Sequence, residues 1–182
     1  STIITDAAEA MLAEWATHDR NRPLPIDEEM MKLTLRVVGK ALFSIDLLGA
    51  ASTLGEAFTG VSEYTNYRMQ TPFPPPLAVP TKQNRHFKRS LKTLDETIYR
   101  IITERRKAHA MGNTDAAGDL LDMLMAARDQ DTGQGMSDQE LRNEIALLMF
   151  AGHDTTASAL TWACYLLSQN PEAEAKLQVE LA

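Results

Sequence analysis

Six consecutive residues hold the densest chemistry in the chain: Ala151-Gly152-His153-Asp154-Thr155-Thr156. They lie within a stripe formed by Leu141, Ile145, Leu148, Gly152, Thr155, Ala159, Trp162 and Leu166, whose alternating steps of four and three trace one helix face. Large side chains line both ends of that face and give way at its centre to Gly152 and Thr155, leaving a notch. A glycine there costs about 1 kcal/mol relative to alanine, a cost met where something must approach the backbone closely. Asp154 and two threonine hydroxyls stand beside the notch. A mid-helix threonine can bond the carbonyl one turn back. Where that bond is disrupted, the helix can open locally and admit water. A hydroxyl and a carboxylate at a notch suit a small ligand to which protons must be delivered. The same residues also fit plain packing, with a helix–helix contact at the glycine, a satisfied polar patch at the threonines and an exposed or paired aspartate.

A long helix must carry such a notch. Ser137-Asp138-Gln139-Glu140 reads as a capping box and opens a helix over about 138–169, roughly 45–50 Å at 1.5 Å per residue. Upstream, apolar spacing predicts helices over about 3–17, 27–48, 82–110 and 120–128, and one more opening at a second capping box, Thr53-Leu54-Gly55-Glu56. Ile4, Ala8, Met11, Leu12 and Trp15 mark the inner side of the first; Gly49 and Gly112 are expected stops. Five prolines within Thr71–Pro80 exclude helix and central strand, and predict a stiff, extended connection. Asn170-Pro171 starts a last helix, with Asn170 as N-cap and Pro171 in its first turn. No segment reads as a strand, so the fold class is all-α.

Composition narrows the function classes. With 182 residues, 44% of them apolar, the chain can form one domain with a packed core. A net charge of −7 and a pI of about 5.1 argue against general nucleic-acid binding. The apolar run Ile145 to Leu167 carries His153 and Asp154 near its middle, which argues against a membrane span. The first ten residues lack the basic flank and apolar core of a signal peptide. The single cysteine, Cys164, excludes an intrachain disulfide and a Cys/His zinc pattern, and suits a reducing, cytoplasmic compartment. It follows Thr155 by nine residues, about half a turn off in phase at 100° per residue, and is read as a buried, inert thiol. Nine of the eighteen basic residues lie between Lys82 and Lys107. They read as the solvated face of a long helix, or as a docking face for an acidic partner. Both ends stop within helical patterns, which reads as part of a larger domain.

Ala151-Gly152-His153-Asp154-Thr155-Thr156 resembles the oxygen-activation motif of the long central helix of cytochromes P450, Ala/Gly-Gly-x-Asp/Glu-Thr-Thr/Ser, at all five specified positions. Asn170-Pro171-Glu172 at the next helix and the order of the upstream helices are similar to the family's D to I helices with the start of J, over essentially the whole chain. The resemblance implies that residues 1–182 are a partial haem domain of a monooxygenase. It implies that Ala151 and Gly152 lie against the distal face of the haem. Thr155 would hydrogen-bond the dioxygen being reduced, and Asp154 would relay protons through water. Phe150, Ala151, Tyr67 and Phe73 would border a pocket for a hydrophobic small-molecule substrate. O2 and an electron-donating reductase partner or domain complete the implied set. The family's iron-ligating cysteine loop is not in this chain. Two other readings stay open. His153-Asp154 could belong to a metal-dependent phosphohydrolase, given further ligands from other helices. The chain could also be a catalytically inactive helical scaffold whose apolar faces drive self-association.

Overall fold

The computed structural model describes residues 2–19, 21–47, 49, 51–112 and 118–181. Among them the chain forms α1 (Thr2–Ala16), α2 (Ile26–Phe43), α3 (Ala51–Gln70), α4 (Lys82–Ala110), α5 (Leu120–Ala126), α6 (Asp138–Gln169) and α7 (Pro171–Leu181). The only β feature among them is an isolated bridge between Arg128 and Gly135. The all-α expectation holds. α2 packs along α6 and α3 along α4, and α4 crosses onto α6. Leu35, Phe43, Leu54, Phe58, Ile98, Ile102, Leu141 and Ile145 meet in the core between these helices. Burying each such side chain contributes about 1.5–3 kcal/mol.

Local chemistry fixes the ends of α6 and α4. Ser137 Oγ accepts from the Glu140 amide while Glu140 Oε2 accepts from the Ser137 amide at 2.7 Å, the expected capping box. Thr81 caps α4 by accepting from the Asn84 amide, and Gly112 closes it at φ +74°. Asn84 is buried and fully engaged. Its side-chain amide donates to the carbonyls of Pro76 and Val79 at 2.8 and 2.7 Å, and its oxygen accepts from Tyr64 Oη. The proline-rich connection is thereby held against α3 and α4. Arg68 Nη1 donates to Pro75 O at its near end.

Several expectations need correction. α2 ends at Phe43, with Leu48 outside the described residues and Gly49 beyond the stop. The stop is Ser44, in the left-handed region at φ 54°, where the amides of Ser44 and Ile45 both donate to Gly39 O. The chain folds back so that Leu47 covers Gly39, where an added Cβ would lie 2.8 Å from the leucine. Arg105 of α4 secures this end. Its guanidinium donates to Phe43 O, Asp119 and Asp122, each contact 2.7–2.8 Å long. The basic run on α4 is therefore not wholly a solvated face. α3 begins at Ala51, so Thr53 lies inside it and forms no capping box. In α1 Ala7 is the buried residue, while Ile4 and Leu12 are exposed, because α1 packs along α2 by one narrow line. The Asn170 side chain donates back to Leu166 O rather than capping α7, and only its carbonyl accepts from the first amides of that helix.

Candidate functional site

The site is built on the middle of α6. Leu141, Ile145, Met149, His153 and Ala157 form its buried line. Steps of four drift around the helix by about 40° each. The predicted 4-3 stripe therefore divides. Leu141 and Ile145 are core, Gly152 is half-buried, and Thr155, Ala159, Trp162 and Leu166 are exposed.

Leu147, Ala151, Thr155 and Ser158 fall within about 80° on the helix wheel, and all four are exposed. Together they make a platform of mostly small side chains. Thr155 Oγ1 donates to Ala151 O at 2.9 Å, the one-turn-back bond expected for a mid-helix threonine. Asp154 is half-buried between platform and core, and no described residue bonds its carboxylate. The close approach that Gly152 permits is made by Val38 of α2, whose Cγ2 would lie 2.9 Å from an added Cβ.

Phe150 faces α3. With Phe58, Val61, Leu94, Ala146 and Leu147 it lines a groove of about 470 Å³. Leu147 belongs both to this groove and to the platform, so the two are continuous. Tyr67 packs its ring against Tyr64, and Phe73 is 93% exposed on the proline-rich connection; neither lines the groove.

Sequence reasoning does not single out His153 as a buried group, yet it is fully buried. The four-residue series from Leu141 is the signal that could place it. Its ring lies 4.6 Å from that of Phe58 and meets Phe150 edge-on. Nδ1 stands 2.6 Å from Met149 O, while Nε2 has no partner among the described residues. Burial lowers its pKa below the ordinary histidine value, so the ring is neutral. Among the described residues no cluster of three metal-ligating side chains forms around His153-Asp154 or elsewhere. Cys164 is exposed rather than buried; among the described residues the fully buried positions of α6 end at Ala157.

A flat platform of mostly small residues, with the hydroxyls of Thr155 and Ser158 on it, suits one side of a planar group. The donors that could coordinate a metal at such a group point elsewhere. His153 lies about 160° from Ala151 and Thr155 on the wheel, and Cys164 about 180° from Thr155. The platform would thus suit one face of a planar cofactor such as haem, and neither His153 nor Cys164 is turned toward that face.

The whole chain, residues 1–182, matches the family model for cytochrome P450. The chain belongs to the cytochrome P450 family. It is 39% identical over 170 residues to a cyclooctatin synthase from Streptomyces melanosporofaciens, covering 93% of this chain and 36% of the relative. It is 31% identical over 181 residues to a cyclooctat-9-en-7-ol 5-monooxygenase from the same organism, covering 98% and 37%. To a pentalenene oxygenase from Streptomyces avermitilis it is 31% identical over its full length, covering 38% of that protein. This P450 chain thus spans little more than a third of the length of these three relatives. No helix among its described residues is long and apolar enough to cross a membrane.

Proposed function

We propose that this P450 segment supplies the oxygen-activating helix and part of the substrate pocket of a haem-dependent monooxygenase. The observation that carries the reading is the continuity of the Ala151/Thr155 platform with the apolar groove at Phe150. A hydrophobic substrate in that groove would end beside the platform. Ala151 and Thr155 would lie against the distal face of the haem, with Gly152 contributing only its bare backbone edge. When bound, the haem supplies the activation of O2. One oxygen atom enters the substrate and the other leaves as water, consuming two electrons and two protons. The electrons require a reductase partner or domain.

The chain's own residues handle the protons. Thr155 Oγ1 can turn its hydrogen from Ala151 O toward a ligand on the platform without moving the backbone. The unpaired carboxylate of Asp154 next to it can take protons from water and pass them on. Phe150, Phe58 and Leu147 orient the substrate and keep bulk water from its other side. The names of the three relatives point to cyclic terpenoids as the substrate class. Residues 1–182 would form part of a single haem domain. The test is the reduced, carbon-monoxide difference spectrum of the protein that contains this chain. A thiolate-type Soret band is expected; a haem protein without one would be a different kind of catalyst.

A further inference from the structure

Carbonyl oxygens in the central turn of α6 have more donors than a helix provides. Met149 O faces His153 Nδ1 at 2.6 Å in addition to the helical amide of residue 153. Ala151 O accepts from Thr155 Oγ1 at 2.9 Å. His153 O lies 3.2 Å from Thr34 Oγ1 of α2, whose single hydrogen it shares with Met30 O at 2.9 Å and Met31 O at 3.2 Å. Side-chain donors therefore stand at three alternate carbonyls of one turn. An added donor draws a carbonyl off the helix axis and weakens its bond to the amide four residues on.

The chemistry of His153 fits this role better than a filler's. Met149 O can only accept, so Nδ1 carries the hydrogen and Nε2 keeps a bare lone pair. A buried acceptor without a partner is unfavourable. The other members of the buried line are Leu141, Ile145, Met149 and Ala157, and an apolar residue would complete it without that cost. What an apolar residue lacks is the donor on Nδ1. The ring is also seated between Phe58 and Phe150, both of which line the groove.

We propose that His153 is a positioning residue which, from the face opposite the platform, sets how readily the turn carrying Ala151 and Thr155 opens to water. By holding Met149 O it loosens the backbone bond that would otherwise close the turn, and so governs the supply of water to Asp154. This rests on the reading of α6 as the oxygen-activating helix.

The experiment compares residue-resolved amide exchange and product formed per reductant consumed in the complete, haem-loaded enzyme and two variants, with pentalenene as the probe substrate. His153→Phe keeps an aromatic ring against Phe58 and Phe150 but removes both nitrogens. The amides of residues 153 and 155 are expected to exchange about tenfold more slowly, with no change near Leu141, since the donor that competed for Met149 O is gone. Product per reductant falls in parallel. His153→Asn places an amide nitrogen where Nδ1 stood and restores both. Unchanged exchange, or uniformly faster exchange along α6, overturns the proposal, since either is what a merely structural histidine gives. Slowed exchange in the Phe variant of an enzyme that does not oxidise pentalenene still supports the role in the turn, while the monooxygenase reading loses its terpenoid substrate class. Should the Phe variant not fold, His153→Leu, which also removes both nitrogens, takes its place: slower exchange at residues 153 and 155 supports the role and unchanged exchange overturns it.

Discussion

Val38 of α2 closes over Gly152 of α6 so tightly that a methyl group there would meet Val38 Cγ2 at 2.9 Å. The motif glycine is thus a point of especially close approach between the two helices. Gly152→Ala gains about 1 kcal/mol in helix propensity and loses about 1–3 kcal/mol to overpacking. A net destabilisation of about 1 kcal/mol is expected, relieved in the Gly152→Ala/Val38→Ala double variant. A double-mutant cycle by urea unfolding checks it; strictly additive losses would show that the pair does not interact.

Arg105 is the second structural prediction. It serves Phe43 O, both oxygens of Asp119 and one of Asp122, with little exposure of any of these side chains. Arg105→Met leaves two poorly solvated carboxylates and is expected to cost about 3–5 kcal/mol. Arg105→Lys recovers little, since one ammonium cannot span the four acceptors. Burial pushes the Asp119 and Asp122 carboxyls up, but the hydrogen bonds and charge of Arg105, together with amide and side-chain partners such as Ser44 at Asp119 and Gly118 and His109 at Asp122, outweigh it and hold both below the usual value of 3.8. Their stabilising contribution is therefore full above that value and is lost as pH falls through the lower folded-state pKa values. Unfolding measured between neutral and acid pH should show this loss in the wild type and a flatter profile in Arg105→Met.

At the platform, Thr155→Ala removes the hydroxyl now bonded to Ala151 O. In the complete enzyme, product per reductant is expected to drop severalfold, with Thr155→Ser largely normal. Asp154→Asn should lower kcat by about a hundredfold, the size of a lost proton-transfer step, while KM changes little. A raised KM with unaltered kcat would instead make Asp154 a binding residue.

How much of this is legible in the residues depends on how local the cause is. α4 and α6 can be placed to the residue because Thr81 and Ser137 cap them and long apolar periods fill them. The end of α2 escapes such reading because its stop is made by distant partners. Leu47 folds over Gly39, Arg105 reaches Phe43 from another helix, and Ser44 rather than a glycine takes the left-handed turn. At the site the motif singles out one turn in the middle of α6. It does not show that Gly152 meets Val38, that His153 is buried or that Cys164 is exposed, since each depends on where α2 crosses and where its cover ends.

Beyond that crossing, α6 presents Trp162, which is 63% exposed, with Tyr165 and Leu166 beside it, and α7 adds Val179 and Leu181. Expressed alone, residues 1–182 are expected to self-associate through this surface. Sedimentation at rising concentration should show oligomers that Trp162→Ser and Leu166→Ser reduce. A monomer at all concentrations would mean that these side chains find cover within the chain.

Asn84 and Arg68 stitch the proline-rich connection to both helices it joins, at Pro75, Pro76 and Val79. Ordinarily such a connection lets its two helices slide independently. Fastened in this way, the turn is closed by side chains of the two helices it joins, so that loss of Asn84 would release its bonds to Tyr64 of α3 and to the connection at once.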